Sequence, residues 1–217
     1  ISAAPCTAPP TAGTAISSSS NVCSGTNVTL GLVGNSNGSG QTYQWESSST
    51  SGGPFTPIGV SSSAPSLIVN PTSTQYYRCQ VTCSSVTTSS TEVLVNVPAL
   101  FPGGFYTIDN TLSTGGGNFA SFNEAVSAIS CGISGPVTFD VASGTGPYTE
   151  QVVIPQIFGA SSTNTITFLG NNQVLTYNAT LSTAPSTLNL NGADFIRFND
   201  LQIVGTGPTY ALVTHLW

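Results

Sequence analysis

At 217 residues, with no lysine, no methionine, two arginines (Arg78 and Arg197) and a formal net charge of −6, the chain draws its polarity from Ser, Thr, Asn and Gly. That balance leaves no basic stripe to neutralise phosphates, which argues against nucleic acid and anionic membrane surfaces as partners. No apolar run approaches the roughly 18 residues of a membrane span, so no membrane insertion is expected, and the 39% of hydrophobic residues is enough to build packed cores over two units.

The chain opens without a charged segment followed by an apolar one, so Ile1 reads as the start of a mature or excised fragment. Cysteines stand at 6, 23, 79, 83 and 131, four of them in the first 83 residues. Four cysteines around one domain in a lysine-free, hydroxyl-rich chain suggest two disulfides and an oxidising, extracellular or cell-surface location. Zinc is the competing reading, but only Cys79 and Cys83 are close together and the single histidine, His215, is far off. No metal and no cofactor is expected.

Short alternating runs follow: Asn27 to Leu32, Thr42 to Trp45, Ser66 to Val69, Tyr76 to Val81 and Glu92 to Val97, with turn residues between them. Strands of this length and spacing predict an antiparallel sandwich over residues 1–98. The prolines and glycines of Pro98-Ala99-Leu100-Phe101-Pro102-Gly103-Gly104 stop that sheet and make 99–104 a linker. Asn27-Val28-Thr29, Asn37-Gly38-Ser39 and Asn178-Ala179-Thr180 fit the glycosylation sequon, a pattern that chance supplies in so hydroxyl-rich a chain.

In the first half, Val28, Leu30 and Leu32 share one face, Trp45 follows Leu32 by 13 positions, and Tyr77 precedes Cys79 by two. This pattern resembles an immunoglobulin-like domain. The resemblance makes Trp45 the buried tryptophan of the third strand, Tyr77 the tyrosine corner and Leu32 the core residue standing where antibody domains have a cysteine. It also implies the pairing Cys23–Cys79 and Cys6–Cys83, although four cysteines allow three pairings.

From residue 105 to 217 the rhythm changes. Phe105 to Ile108 opens the region, and Ser121-Phe122-Asn123-Glu124 then reads as a capping box starting a helix over about 121–130, with Phe122, Ala125, Val126 and Ile129 as its apolar stripe. Cys131 behind it reads as a small buried hydrophobe. Gly115-Gly116-Gly117 is a flexible turn, since no lysine follows to make a phosphate loop. Strands are predicted at 136–141, 151–154, 165–168, 174–177, 188–190 and 195–204. Val137, Ile166 and Ile196 begin similar strands at intervals of 29 and 30 residues, the mark of a solenoid. The region therefore reads as the N-terminal coils of a right-handed parallel β-helix, its first end covered by the helix and its third rung cut short near Trp217, a piece of something longer.

The runs Gly135 to Val141, Tyr148 to Val152, Asn164 to Phe168 and Leu190 to Ile196 resemble the start of pectate-lyase-like β-helix domains in large secreted surface proteins of Bacteroidota. The Cys23 to Leu30 and Tyr77 to Cys83 stretches resemble immunoglobulin-like modules of the same proteins. That resemblance implies export, often by type IX secretion, and roles as adhesins, surface layers or carbohydrate-active enzymes.

Catalysis finds little support in the residues. Asp194 and Asp200 flank the strand holding Arg197, yet Asp194 and Arg197 differ by three positions and fall on opposite faces of a regular strand. Turn aspartates and an exposed arginine are the plainer reading, and Asp140 and Glu150 read as a rung end and a solvated turn. A catalytic triad would rest wholly on His215. The expected function is thus a non-catalytic extracellular structural or adhesive protein whose partners are other copies of itself or other surface proteins. The alternative is a carbohydrate-binding or carbohydrate-active β-helix, with Tyr148, Tyr177 and Tyr210 as candidates for stacking on polysaccharide.

Overall fold

The computed structural model describes residues 4–208, 210 and 212–216, with the backbone alone for 214–216. The side chain of His215, and Trp217, lie outside the described residues. The chain divides into two compact units at Ala99 and Leu100. Among the described residues it is all-β apart from one short helix.

The first unit contains β1 (Thr14–Ser17), β2 (Val28–Val33), β3 (Thr42–Ser48), β4 (Thr56–Pro57), β5 (Leu67–Val69), β6 (Gln75–Cys83), β7 (Val86–Ser89) and β8 (Val93–Val95). They form two antiparallel sheets, β1-β2-β5 and β4-β3-β6-β7, with β8 paired to the first part of β6. Residues on a strand alternate between faces, and β6 keeps that period without a break: Tyr77, Cys79, Val81 and Cys83 are buried while Arg78, Gln80 and Thr82 are half-exposed. Val28 and Leu30 of β2 close the same core from the other sheet, and half-buried Leu32 packs on its margin. Trp45 sits between them, 3% exposed, its indole N–H donating to Pro65 O at 3.2 Å. On the outer face of the larger sheet, the buried Glu46 carboxylate accepts from Arg78 Nε at 2.8 Å and Gln80 Nε2 at 2.9 Å. Arg78 also lies 4.0 Å over the Phe55 ring.

Cys6 and Cys83 form a disulfide, with Cα atoms 6.0 Å apart. The backbone brings Cys6 there by pairing with the loop before β3, where Cys6 N–H donates to Ser39 O at 3.1 Å. Gly38 permits that approach, since a Cβ on it would lie 2.4 Å from Cys6 Cα. The expected Cys23–Cys79 bridge does not form: Cys79 is a buried free thiol. Cys79 points into the core in the middle of β6, paired across the ladder with Trp45, whereas Cys23 lies in the turn ahead of β2. Cys23 is not a free thiol, and neither is Cys131, which is half-buried rather than enclosed. Burial pushes the Cys79 thiol from the usual 9.0 up to about 12. A group held neutral in this way contributes stability that is present below pH 9.0 and lost as pH rises through about 12. In the native protein at pH 8, Cys79 is expected to resist maleimide and to react only on unfolding; fast labelling under native conditions would contradict its burial.

The second unit contains β9 (Gly104–Ile108), β10 (Asn118–Phe119), α1 (Phe122–Ala128), β11 (Val137–Val141), β12 (Tyr148–Thr149), β13 (Val152–Pro155), β14 (Ile166–Leu169), β15 (Val174–Tyr177), β16 (Ser186–Asn191), β17 (Ile196–Asn199), β18 (Gln202–Gly205) and β19 (Leu212–Leu216). Three parallel sheets, β10-β9-β11-β14-β17, β12-β15-β18 and β13-β16-β19, wind these strands into a β-solenoid. Val137, Ile166 and Ile196 stand in register, so the 29- and 30-residue intervals are the coil period. One rung more than expected is present, because β9 stacks below β11 with Gly104 opposite Val137. The helix lies inside that first coil and stretches its interval to 33 residues, which hides the repeat in the sequence. The expected strand over 195–204 is two, β17 and β18, split at Asp200, whose φ of 51° turns the chain.

Inside the solenoid, like residues stack on like. Tyr106, Phe139, Phe168 and Phe198 occupy one register, with centroid separations of 6.0, 5.1 and 5.2 Å along the series. Helix α1 covers this core with Phe122, Ala125 and Val126, placing the Phe122 ring 5.8 Å from Phe168. Ser121 is its N-cap and accepts from Glu124 N–H at 3.1 Å, while Glu124 reaches past the cap residue to accept from Ala120 N–H at 2.9 Å. The remaining cap comes from afar. Glu150, expected in a solvated turn, accepts from Phe122 N–H at 2.9 Å and Asn123 N–H at 3.0 Å, one carboxylate oxygen for each. This satisfies two orphan donors and sets a negative charge at the positive end of the helix. Replacing Glu150 by Ala is expected to cost about 1–2 kcal/mol. Hydrogen exchange checks it: the Phe122 and Asn123 amides should exchange faster while the Phe168 amide is unaffected.

Candidate functional site

A concave feature of the solenoid lies beside its first rung. Thr107 N–H donates to Gly117 O at 3.0 Å and Asp109 N–H to Phe119 O at 2.9 Å, so these residues face β10. Gly104 N–H donates to Pro136 O at 2.9 Å and Ala142 N–H to Ile108 O at 2.9 Å, so the alternate residues face β11. Strand geometry then turns the N–H and C=O of Phe105 to the β10 side, before β10 begins. The 111–117 loop curls around this stretch and leaves a groove of about 520 Å³. Phe105, 85% exposed, and Leu112, 57% exposed, supply its apolar walls. Asn118 holds the loop in place from beneath: its Nδ2 donates to Asp109 O at 3.1 Å and Ser113 O at 3.3 Å, and its Oδ1 accepts from Thr107 Oγ1 at 2.7 Å. The lining residues carry no charge.

The residues singled out from sequence do not converge on this groove. Tyr148 is not available for stacking on sugar. It is 3% exposed, meets Phe122 edge-on at 5.2 Å, and donates its hydroxyl to Ile108 O at 3.0 Å. Burial raises the pKa of its phenol above the ordinary value. Tyr177 and Tyr210 are half-buried, on β15 and just ahead of β19. Asp194, Arg197 and Asp200 are exposed around β17. Asp140 is exposed at the end of β11, where Asn171 Nδ2 donates to it at 2.7 Å. Trp45, Tyr77 and Leu32 belong to the core of the first unit, as above, and burial raises the pKa of Tyr77.

The outward row of the first sheet runs Phe105, Thr138, Thr167, Arg197 along the solenoid. It presents an aromatic ring, two hydroxyls and a guanidinium rather than a run of aromatics beside paired carboxylates. Among the described residues, no group of three or more His, Cys, Asp or Glu is placed to hold a metal ion. No helix is long and apolar enough to cross a membrane among them.

Residues 11–99 match a family described as a domain of unknown function (DUF8696). The match covers the first unit almost entirely and leaves the solenoid outside it. No curated protein and no solved structure matches the chain.

Two residues that matter here escape sequence reasoning. Phe105 looks like any strand aromatic, and its exposure depends on where β10 stops. Glu150 caps a helix 28 positions away, which no local pattern signals. The one available hint was Ser121-Phe122-Asn123-Glu124, which announces a helix start without naming all that satisfies it.

Proposed function

We propose that this chain is part of a secreted, non-catalytic structural or adhesive protein of the kind found on Bacteroidota surfaces, an immunoglobulin-like module leading into a β-solenoid that assembles through its β-rich units. The observation that carries this reading is the pair of edge strands in the smaller sheet of the first unit, β1 and β5, which present Ile16 and Ile68 with 45% and 63% of their surface exposed. Edge strands with exposed apolar side chains invite pairing with another β-rich surface. The Cys6–Cys83 bridge and a surface almost without lysine and arginine suit life outside the cell. The strand order of the first unit and the burial of Trp45 and Tyr77 support the immunoglobulin-like assignment.

The alternative, a polysaccharide-binding or polysaccharide-cleaving protein, predicts a different outcome in one experiment. The chain is incubated with a panel of neutral and acidic polysaccharides, with and without calcium, and both co-sedimentation and chain cleavage are followed. The structural reading expects intact polysaccharide left in the supernatant; cleavage, or saturable retention by the protein, would favour the alternative.

A further inference from the structure

We propose that the free half of the β9 edge, with the Phe105/Leu112 groove beside it, binds an extended, uncharged peptide segment of a partner protein by strand addition. Three observations converge on that occupant. First, the ladder is half built. β10 pairs in parallel with Thr107 and Ile108 and stops, and the next outward-facing residue, Phe105, has its N–H and C=O at ladder spacing on the same edge. A peptide placed there continues an interface that the chain already makes with its own segment: in the parallel arrangement of β10, one peptide carbonyl accepts from the Phe105 N–H and the N–H two residues further on donates to the Phe105 C=O.

Second, the edge lacks the usual protection. Proteins blunt exposed edges with charge, proline or a covering loop; here the edge residue is a phenylalanine, 85% exposed. The loop beside it turns through Gly115, Gly116 and Gly117, all with positive φ, and lines the groove without a side chain at these three positions. A Cβ at Gly115 or Gly116 would meet nothing within 4 Å, so that side of the groove is open to an incoming chain.

Third, the lining selects chemistry. Thr107, Ser113 and Asn118 give the groove a neutral polar side, and Phe105 and Leu112 give it an apolar one. A charged side chain would be desolvated with no counter-charge in the lining, whereas a segment alternating aliphatic and hydroxyl residues matches both walls. This inference stands apart from the assembly proposed above, since it concerns the first rung of the solenoid rather than the edges of the first unit.

The test uses the whole chain with the Phe105 and Leu112 amides followed by NMR and hydrogen exchange, the Leu112 amide reporting on the variants at position 105. A positional library of blocked, uncharged hexapeptides is titrated in pools, and neutral oligosaccharides are titrated in parallel. The expected result is a saturable shift and slowed exchange at Phe105 with peptide pools alone. Phe105→Pro removes the outward donor without touching the β11 ladder, a place where edge strands tolerate proline, and should abolish binding. Phe105→Ala and Leu112→Ser keep the edge groups and should each weaken binding about tenfold. The proposal is overturned if no peptide pool slows Phe105 exchange, if oligosaccharides do so instead, or if the proline variant binds like the parent. Should that variant fail to fold, unchanged affinity in both other variants is equally fatal.

Discussion

Phe168→Ala is expected to destabilise the solenoid unit by about 4 kcal/mol, the middle of the range for emptying a fully buried aromatic site. The ring has no solvent exposure, stacks on Phe139 at 5.1 Å and Phe198 at 5.2 Å, and bears the Phe122 ring of the helix at 5.8 Å. Its removal therefore breaks the contact between successive coils and undermines the helix that covers them. Neither neighbour can close the gap, because Phe139 and Phe198 are fixed by their own ladders through β11 and β17. Denaturant unfolding followed by far-ultraviolet circular dichroism measures the loss, and amide exchange locates it. Exchange should accelerate at Phe139, Phe198 and the helix while β6 is unchanged. A cost below about 1 kcal/mol would mean the stack is not continuous, since even a single methylene in a core is felt at that level.

The second large effect falls in the first unit. Replacing Cys6 and Cys83 together by alanine removes a cross-link between residues 77 apart, expected to cost about 4 kcal/mol in the chain-entropy account. Trp45 lies in the core that this bridge helps close and reports the change through its fluorescence. The variant's transition should move to lower denaturant, with Phe168 exchange in the solenoid unaltered. A first unit as stable without the bridge as with it would show that the unfolded chain is already held by other contacts. Reductant is the weaker version of this experiment, because Cys23 and Cys131 are not free thiols either.

Much of the architecture was legible because strands and solenoids write themselves in periods. The inward set Tyr77, Cys79, Val81, Cys83 follows from parity alone, and the stacking of Val137 on Ile166 and Ile196 follows from their near-equal intervals. What failed was pairing between positions of equal local merit. Cys79 and Cys83 face the same way, and only the path of the N-terminal segment over Gly38 decides which one Cys6 reaches. Tyr148 offered the same ambiguity between core and surface, settled by the Ile108 carbonyl waiting for its hydroxyl. The first rung was hidden by the helix inserted in its coil. The candidate groove was invisible for a related reason: it exists because β10 is two residues long where β9 has five.

Assembly through β-rich units is separated from a monomeric role by sedimentation velocity of the oxidised chain over a wide concentration range, with electron microscopy of the heaviest fractions. Species that grow with concentration and show regular contacts between β-rich units are expected. A chain that stays monomeric at the highest concentration, with empty micrographs, would contradict such assembly.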